Sequence, residues 1–370
     1  MISMSREPTG GGAAATGSLL RFLALSMAAV TLLFLFNNVL TYWWGWPGLL
    51  GFFGDQGWFG ATPPRKALDA GAVTLGWIQF ALYGAPVLAI AAQVARTPNR
   101  RLRADAEVLS ALAAYFVRAA FWSVLLIGAI DMTISFLRVE NFLEIIIGDE
   151  LAKDLGRTSF RGAYVHYPLI ILGFVIAYFT KTLGFIWLAL LIVLAELLIV
   201  IARFVFSYEQ VFMGDLVRFW YGALFLFSSA YTLLKEGHVR VDILYTRFSP
   251  RGKAWANCVG SVLFGIPLCW IILTRGLWTK ATMLNAPLIN YEVSQSGYGM
   301  YVKYLMAGFL LVYALSMMVQ FCGSFLSNAA VLLGETESEA TTELATAETA
   351  TAEPAAAMGR GAISREASSG

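Results

Sequence analysis

Charged side chains inside long apolar runs are the residues of this sequence whose types and positions could do chemistry. Arg118, Asp131 and Glu196 lie deepest within such runs. Because a charge in hydrocarbon is costly, such side chains usually pair with a polar group or line a path for ions or substrate. Glu196 needs a partner or a proton, and Arg118 on another helix is one candidate partner. For Glu196 there are three alternatives: a structural polar contact, coupling to an ion or proton, or contact with a partner subunit.

A second set of charges lies near the ends of apolar runs. Asp215 and Arg218 are three residues apart and therefore share one face of a helix. Arg203 lies close to the end of its run, where a long side chain can reach the membrane interface. These three residues are predicted to anchor the chain at the interface or to contact lipid headgroups or a partner subunit.

The densest polar stretch is KEGHVRVDILYTRFSPR at 235–251, which separates two apolar runs. His238, Arg240 and Asp242 alternate there with two valines. A bend or short extended segment would place the three polar side chains on one side. Arg240 and Asp242 could then fix the loop through a charge-assisted hydrogen bond. The stretch is either a topology signal that contacts headgroups or a structured turn that orients helices or docks a partner.

The elements that position these residues are predicted to be membrane-spanning helices. The chain is 58% hydrophobic and 14% charged, whereas soluble domains average about 45–50% apolar and about 25% charged residues. About 20 mainly apolar residues cross a bilayer as a helix. The sequence therefore predicts an all-α integral membrane protein with about eight spans, at 19–43, 71–95, 108–136, 163–180, 183–206, 216–234, 254–276 and 303–327.

The distribution of basic residues predicts the orientation of these spans. Four arginines lie in the short connection at 96–103, and five basic residues lie at 235–253. Because cytoplasmic loops carry the excess of Lys and Arg, both connections are expected inside, with the N- and C-termini cytoplasmic. The segments 1–18 and 335–370 lack the apolar content of the spans and are predicted to be disordered.

Several function classes are disfavoured by what the sequence lacks. It contains no GxxxxGK[ST] phosphate loop, no HExxH or CxxC metal motif and no GxSxG nucleophile turn. Two histidines are few for a membrane haem protein. A net charge of +2 suggests no nucleic-acid partner. We expect neither catalysis nor a cofactor or metal.

The second half of the chain resembles a known family. Three features resemble the small permease, or DctQ-type, subunit of tripartite ATP-independent periplasmic (TRAP) transporters. They are an apolar helix that ends in Arg203-Phe-Val-Phe206, the Asp215-Leu-Val-Arg218 start of the next helix, and the stretch His238-Val-Arg240-Val-Asp242 followed by Ser249-Pro250-Arg251. The resemblance covers residues 183–327. The four predicted helices within 19–180 form an N-terminal extension that the usual four-helix member lacks.

The resemblance implies a non-catalytic role in the bacterial inner membrane. The small permease of this family acts as a stator for a large, DctM-type permease, which moves the substrate. A periplasmic binding protein delivers the substrate, usually a carboxylate or another small organic acid, and a sodium gradient drives uptake without ATP. The resemblance also implies a set of signature or partner-contact residues, and membrane lipid as a further partner. The residues are Arg203, Asp215, Arg218, His238, Arg240, Asp242, Pro250 and Arg251.

Two alternatives remain open at the level of sequence. A stand-alone carrier could use Arg118, Asp131 and Glu196 as its own polar pathway. A membrane anchor for an electron-transfer enzyme is the other alternative, although histidine is scarce.

Overall fold

In the described part of the chain, eight helices are long and apolar enough to cross a membrane, as the sequence predicts. The computed structural model describes residues 11–181, 185–234, 245, 247–293 and 299–335, and no β-strand occurs among them. All-α integral membrane architecture is therefore confirmed. The spanning helices are α1 (Gly11–Tyr42), α2 (Ala70–Arg96), α3 (Leu102–Val139), α4 (Thr158–Phe179), α5 (Phe185–Val205), α6 (Val211–Leu234), α7 (Pro250–Leu277) and α8 (Lys303–Leu332).

Side-chain caps explain where two of these helices begin. The Asp69 carboxylate accepts a hydrogen bond from the Ala72 N–H at 2.7 Å and caps α2. Ser249 accepts from the Gly252 N–H at 3.2 Å, and Pro250 follows at the first helical position of α7. Pro is favoured there because its fixed φ suits a helix and its missing N–H would have no intrahelical partner. The Ser-Pro pair of the signature is thus a helix start.

Most helices extend beyond the predicted spans. Helix α3 begins at Leu102 rather than 108, α4 at Thr158 rather than 163 and α7 at Pro250 rather than 254, and α8 ends at Leu332 rather than 327. Helix α1 begins at Gly11, so residues 11–18 of the segment predicted to be disordered are helical. Alanine favours helix there, and α1 approaches α3 so closely that a Cβ at Gly17 would lie 3.3 Å from a Leu102 methyl. Helix α6 begins at Val211 rather than 216.

A further difference lies at the start of the predicted C-terminal tail. The Glu335 carboxylate accepts hydrogen bonds from the backbone N–H groups of Leu102 at 2.9 Å and Arg103 at 3.4 Å. Those amides open α3 and have no intrahelical partner. Glu335 is therefore held by the first turn of α3, while residues 336–370 lie outside the described residues.

The predicted extension and the DctQ-like segment share one hydrophobic core. Helices α3 and α8 form the most extensive helix pair, and α3 also packs along α4 and α6. A single cluster of buried apolar side chains runs from Ala24 to Ala330. Helix α3, from the extension, therefore lies at the centre of the bundle, whereas α5 packs mainly on α6.

Candidate functional site

A buried polar cluster joins α3, α4 and the start of α8, and we call it the Asp131 cluster. It comprises Asp131, Arg161, His166, Tyr301 and Tyr304. Asp131, Arg161 and His166 are completely buried. Arg161 Nη1 lies 2.9 Å and His166 Nε2 lies 3.1 Å from the same oxygen, Asp131 Oδ1. The Tyr301 backbone N–H donates to Asp131 Oδ2 at 2.9 Å.

A π-helical turn brings Arg161 and His166 to the same carboxylate. In a regular α-helix, residues five apart point about 140° away from each other. The backbone of Gly162–His166 is π-helical, with one residue more per turn, so positions 161 and 166 come nearly into line. Gly162 is required at this turn, because a Cβ would lie 2.4 Å from the Tyr291 ring.

Most of the remaining polar atoms of the cluster have partners, but the buried Nη2 of Arg161 has none within the described residues. Arg161 also donates to the Leu155 carbonyl at 3.0 Å and the Ser135 hydroxyl at 3.2 Å. Its guanidinium lies 4.3 Å from the centre of the Tyr301 ring, a cation–π contact. His166 Nδ1 lies 2.8 Å from the Tyr304 hydroxyl. The two ring nitrogens of His166 thus lie between the Tyr304 hydroxyl and the Asp131 carboxylate.

This arrangement suits a structural lock better than a transport site. Each member of the Asp131 cluster is engaged by another member or by the backbone, and its charged groups are buried. Among the residues with described positions, no group of three or more His, Cys, Asp or Glu side chains could hold a metal ion. The cluster therefore ties the extension to the segment that leads into α8.

Asp215 holds the same segment from the other side. Its Oδ2 accepts from the Met300 N–H at 3.1 Å, one residue before the amide that Asp131 binds. Its Oδ1 lies 3.4 Å from Arg218. Two carboxylates, one from α3 and one from α6, thus bind consecutive amides at 300 and 301.

The structure brings the three predicted interfacial residues together. Arg203, Asp215 and Arg218 all line an open cleft of about 340 Å³ between the end of α5 and the start of α6. Arg203 and Arg218 are exposed, whereas Asp215 is partly covered. The cleft offers both charge signs at one end of the bundle, which fits the expected interfacial or partner-contact role.

Arg118, Asp131 and Glu196 do not meet. Asp131 is enclosed in its cluster, whereas Glu196 is exposed on α5. Phe121, one turn from Arg118, contacts Phe185 at the first residue of α5, with ring centres 5.0 Å apart. Glu196 lies about 16 Å further along that helix, so Arg118 is at a different depth. Arg118 Nε is buried and has no hydrogen-bond partner within the described part of the chain.

The loop signature is only partly described. His238, Arg240 and Asp242 lie outside the described residues, so their predicted turn stays a prediction. Arg251 is exposed in the first turn of α7, next to Pro250.

A second buried ion pair, which the sequence did not single out, lies at the opposite end of the bundle. Arg21 of α1 is 1% exposed, and its Nε lies 2.6 Å from Asp105 Oδ2 of α3. Arg21 also binds the carbonyl and hydroxyl oxygens of Thr97. Arg100 approaches the other Asp105 oxygen at 2.8 Å. The signal available in the sequence for this ion pair was the position of Arg21 just inside the predicted first span.

Replacing Arg21 with methionine is expected to destabilise the protein by about 1–3 kcal/mol, because it strips hydrogen bonds from the buried Asp105 and from Thr97. Thermal unfolding in detergent measures the effect. Arg100→Met is the matched control: its side chain is 40% exposed, so its loss is expected to cost less than about 1 kcal/mol. Equal effects of the two substitutions would contradict this ranking.

Arg161 and His166 were also missed. Arg161 lies just before the predicted span at 163–180, and His166 lies within that span without a predicted role. Asp131 itself was the available signal, since a buried carboxylate requires a cationic or hydrogen-bonding partner. A one-dimensional pattern could not show which partner, because the contact depends on the π-helical turn.

The comparisons with known proteins agree with the resemblance seen in the sequence. The family described as tripartite ATP-independent periplasmic transporters, DctQ component, matches residues 189–331. No curated protein and no solved structure matches the chain. The matched segment includes α6 to α8, most of α5 and the signature loop. Residues 189–331 therefore form a segment of the DctQ component family of TRAP transporters, within a multi-pass protein of the bacterial inner membrane.

Proposed function

We propose that this chain is the small permease subunit of a TRAP transporter and acts as a non-catalytic stator for a large, DctM-type permease. In this role it supports sodium-gradient-driven, ATP-independent uptake of a small organic acid or related solute. A periplasmic binding protein delivers that solute to the large permease. The observation that carries the proposal is the DctQ match over residues 189–331.

The interior of the bundle supports a bracing role. Its most buried charges, those of the Asp131 cluster and of the Arg21–Asp105 pair, are engaged with one another and with the backbone. Carriers instead place substrate and ion sites at broken helices near the midplane. Within the described residues, Arg118, Asp131 and Glu196 form no joined polar pathway.

We further propose that the extension enlarges the stator. Helix α3 packs against α4, α6 and α8, so the first half of the chain stiffens the DctQ segment from within. In the proposed orientation both termini are cytoplasmic, the Asp131 cluster lies toward the periplasm, and the 235–251 loop with His238, Arg240 and Asp242 lies in the cytoplasm. That loop and the Arg203–Arg218 cleft are candidate contacts for the large permease or for lipid headgroups.

Co-purification tests the proposal. The tagged chain is co-expressed with the membrane proteins encoded beside it, extracted in mild detergent and analysed by mass spectrometry. We expect a large multi-helix permease to co-purify. In proteoliposomes with an inward sodium gradient, uptake is expected only when that permease and a binding protein are present. Uptake by this chain alone would identify it as a carrier and overturn the stator proposal.

A further inference from the structure

Two spanning helices, α2 and α5, are barely covered by the rest of the chain. Only 11% of the most apolar 18-residue stretch of each helix is buried. Something other than this chain must therefore surround both helices in the membrane. Their exposed faces differ in chemistry, and the difference indicates what surrounds each one.

The exposed face of α2 suits lipid. Its large exposed side chains include Trp77, Ile78, Phe80 and Leu88. The amide side chain of Gln79, in the first half of the helix, is fully buried. Gln79 accepts from the Gly48 N–H and donates to Asn37 and Thr41. Helix α2 thus buries the Gln79 side chain within the protein and exposes large apolar side chains, which suit contact with lipid.

The exposed face of α5 does not suit lipid at one position. Large apolar residues such as Val193, Leu197 and Val200 surround Glu196, which is itself exposed. Glu196 lies about 14–16 Å from either end of α5, too deep for its short side chain to reach the interface. In the described part of the chain it makes no hydrogen bond or ion pair. A carboxylate in this position requires a partner from another molecule, or a proton.

The surface of α5 around Glu196 extends toward the cleft at the end of this helix. Glu196, Val200 and Arg203 are spaced four and three residues apart, which places them along one side of the helix. Arg203 lines the cleft between α5 and α6. We call these three residues the α5 stripe. It carries an acid at mid-membrane and a base at the end of the span.

We propose that the α5 stripe is the docking surface for a transmembrane helix of the large permease. That helix presents a basic or hydrogen-bond-donating side chain to Glu196, and an acceptor toward Arg203. This inference rests on the proposed function, because it assumes that the large permease is the partner. A second copy of this chain fits less well, since a two-fold contact centred on Glu196 would set two carboxylates against each other.

Photocrosslinking within the co-purified complex tests the surface. Val193→Cys and Val200→Cys are each labelled with a maleimide benzophenone and irradiated. Leu88→Cys on α2 is the matched control, because it is 70% exposed on the apolar face. The chain without an added cysteine gives the background, since Cys258, Cys269 and Cys322 are buried. We expect adducts with the large permease from α5 and none from α2.

Carbodiimide labelling of Glu196 supplies a second readout. A hydrophobic carbodiimide reacts with protonated carboxyl groups inside a membrane, and Glu196→Gln identifies the labelled residue. We expect Glu196 to react in the isolated subunit and to be protected in the complex. Glu196→Leu is expected to lower recovery of the large permease by at least about tenfold, because the donor on the permease is left buried and unpaired.

The outcomes separate the two proposals. If the permease co-purifies but the α5 cysteines give no adduct with it and Glu196 stays reactive, the α5 stripe faces lipid and this inference fails, while the stator proposal stands. An adduct between two copies of this chain also overturns the inference. If no large permease co-purifies, both proposals fail together.

Discussion

Replacing Asp131 with alanine is expected to destabilise the protein by about 3–5 kcal/mol. The carboxylate is fully buried and binds Arg161, His166 and the Tyr301 amide. Its removal leaves the Arg161 guanidinium as an uncompensated charge in a space from which water is excluded. Thermal unfolding of the purified subunit in detergent measures the loss.

Two further variants show whether the ion pair itself is responsible. The double substitution Asp131→Leu with Arg161→Met removes both charges, and we expect it to be less harmful than Asp131→Ala, since no unpaired charge remains. Asp154→Ala is the surface control. Its pair with Arg157 is partly exposed, with side chains 39% and 64% exposed, so its loss is expected to cost less than about 1 kcal/mol.

Hydrogen exchange provides a local readout of the same substitution. Asp131 accepts from the Tyr301 N–H and Asp215 from the Met300 N–H. In Asp131→Ala we expect faster exchange at Tyr301, with Met300 less affected because its own acceptor remains. The exchange rate at Tyr301 and the thermal unfolding midpoint could both stay as in the unaltered protein. That result would show that the Asp131 cluster does not hold this segment.

The spans could be predicted because the membrane leaves few alternatives. A chain in hydrocarbon must satisfy its backbone internally, so long apolar runs become helices. The starts of several helices were harder to predict, and the start of α1 is one example. Residues 11–18 are rich in glycine and small side chains, and from hydropathy alone such a segment is predicted to be a polar tail. Their helical state is supported by packing of Gly17 against Leu102, a contact between positions far apart in sequence.

The candidate site was predictable only in part. Asp131 and Glu196 attract attention for the same reason, an acidic group within an apolar run, yet the structure gives them opposite environments. Asp131 faces inward to a cation supplied through a π-helical turn. Glu196 faces outward from α5. Which face of a helix is covered depends on the packing of its neighbours, and hydropathy contains no information about that choice.

Replacing Gly128 with alanine is expected to loosen the contact between the extension and the DctQ segment. A Cβ at Gly128 of α3 would lie 2.2 Å from Nε1 of Trp220 in α6, closer than such atoms can approach. The indole N–H donates to the Val124 carbonyl at 3.3 Å, and Trp220 is 5% exposed. A buried indole has little space to retreat, so the helices must separate. Small residues permit such close approach of helices in membranes.

The expected destabilisation is about 1–3 kcal/mol, and thermal unfolding in detergent checks it. Gly260→Ala in α7 is the matched control, since a Cβ there has no atom within 4 Å in the described structure. Alanine favours helix over glycine by about 0.8–1.0 kcal/mol, so the control is expected to be neutral or stabilising. A Gly128→Ala protein as stable as the Gly260→Ala protein would mean that α3 and α6 do not approach this closely. The two substitutions are chemically identical and differ only in what the added methyl group meets, so their difference measures the α3–α6 contact rather than helix propensity.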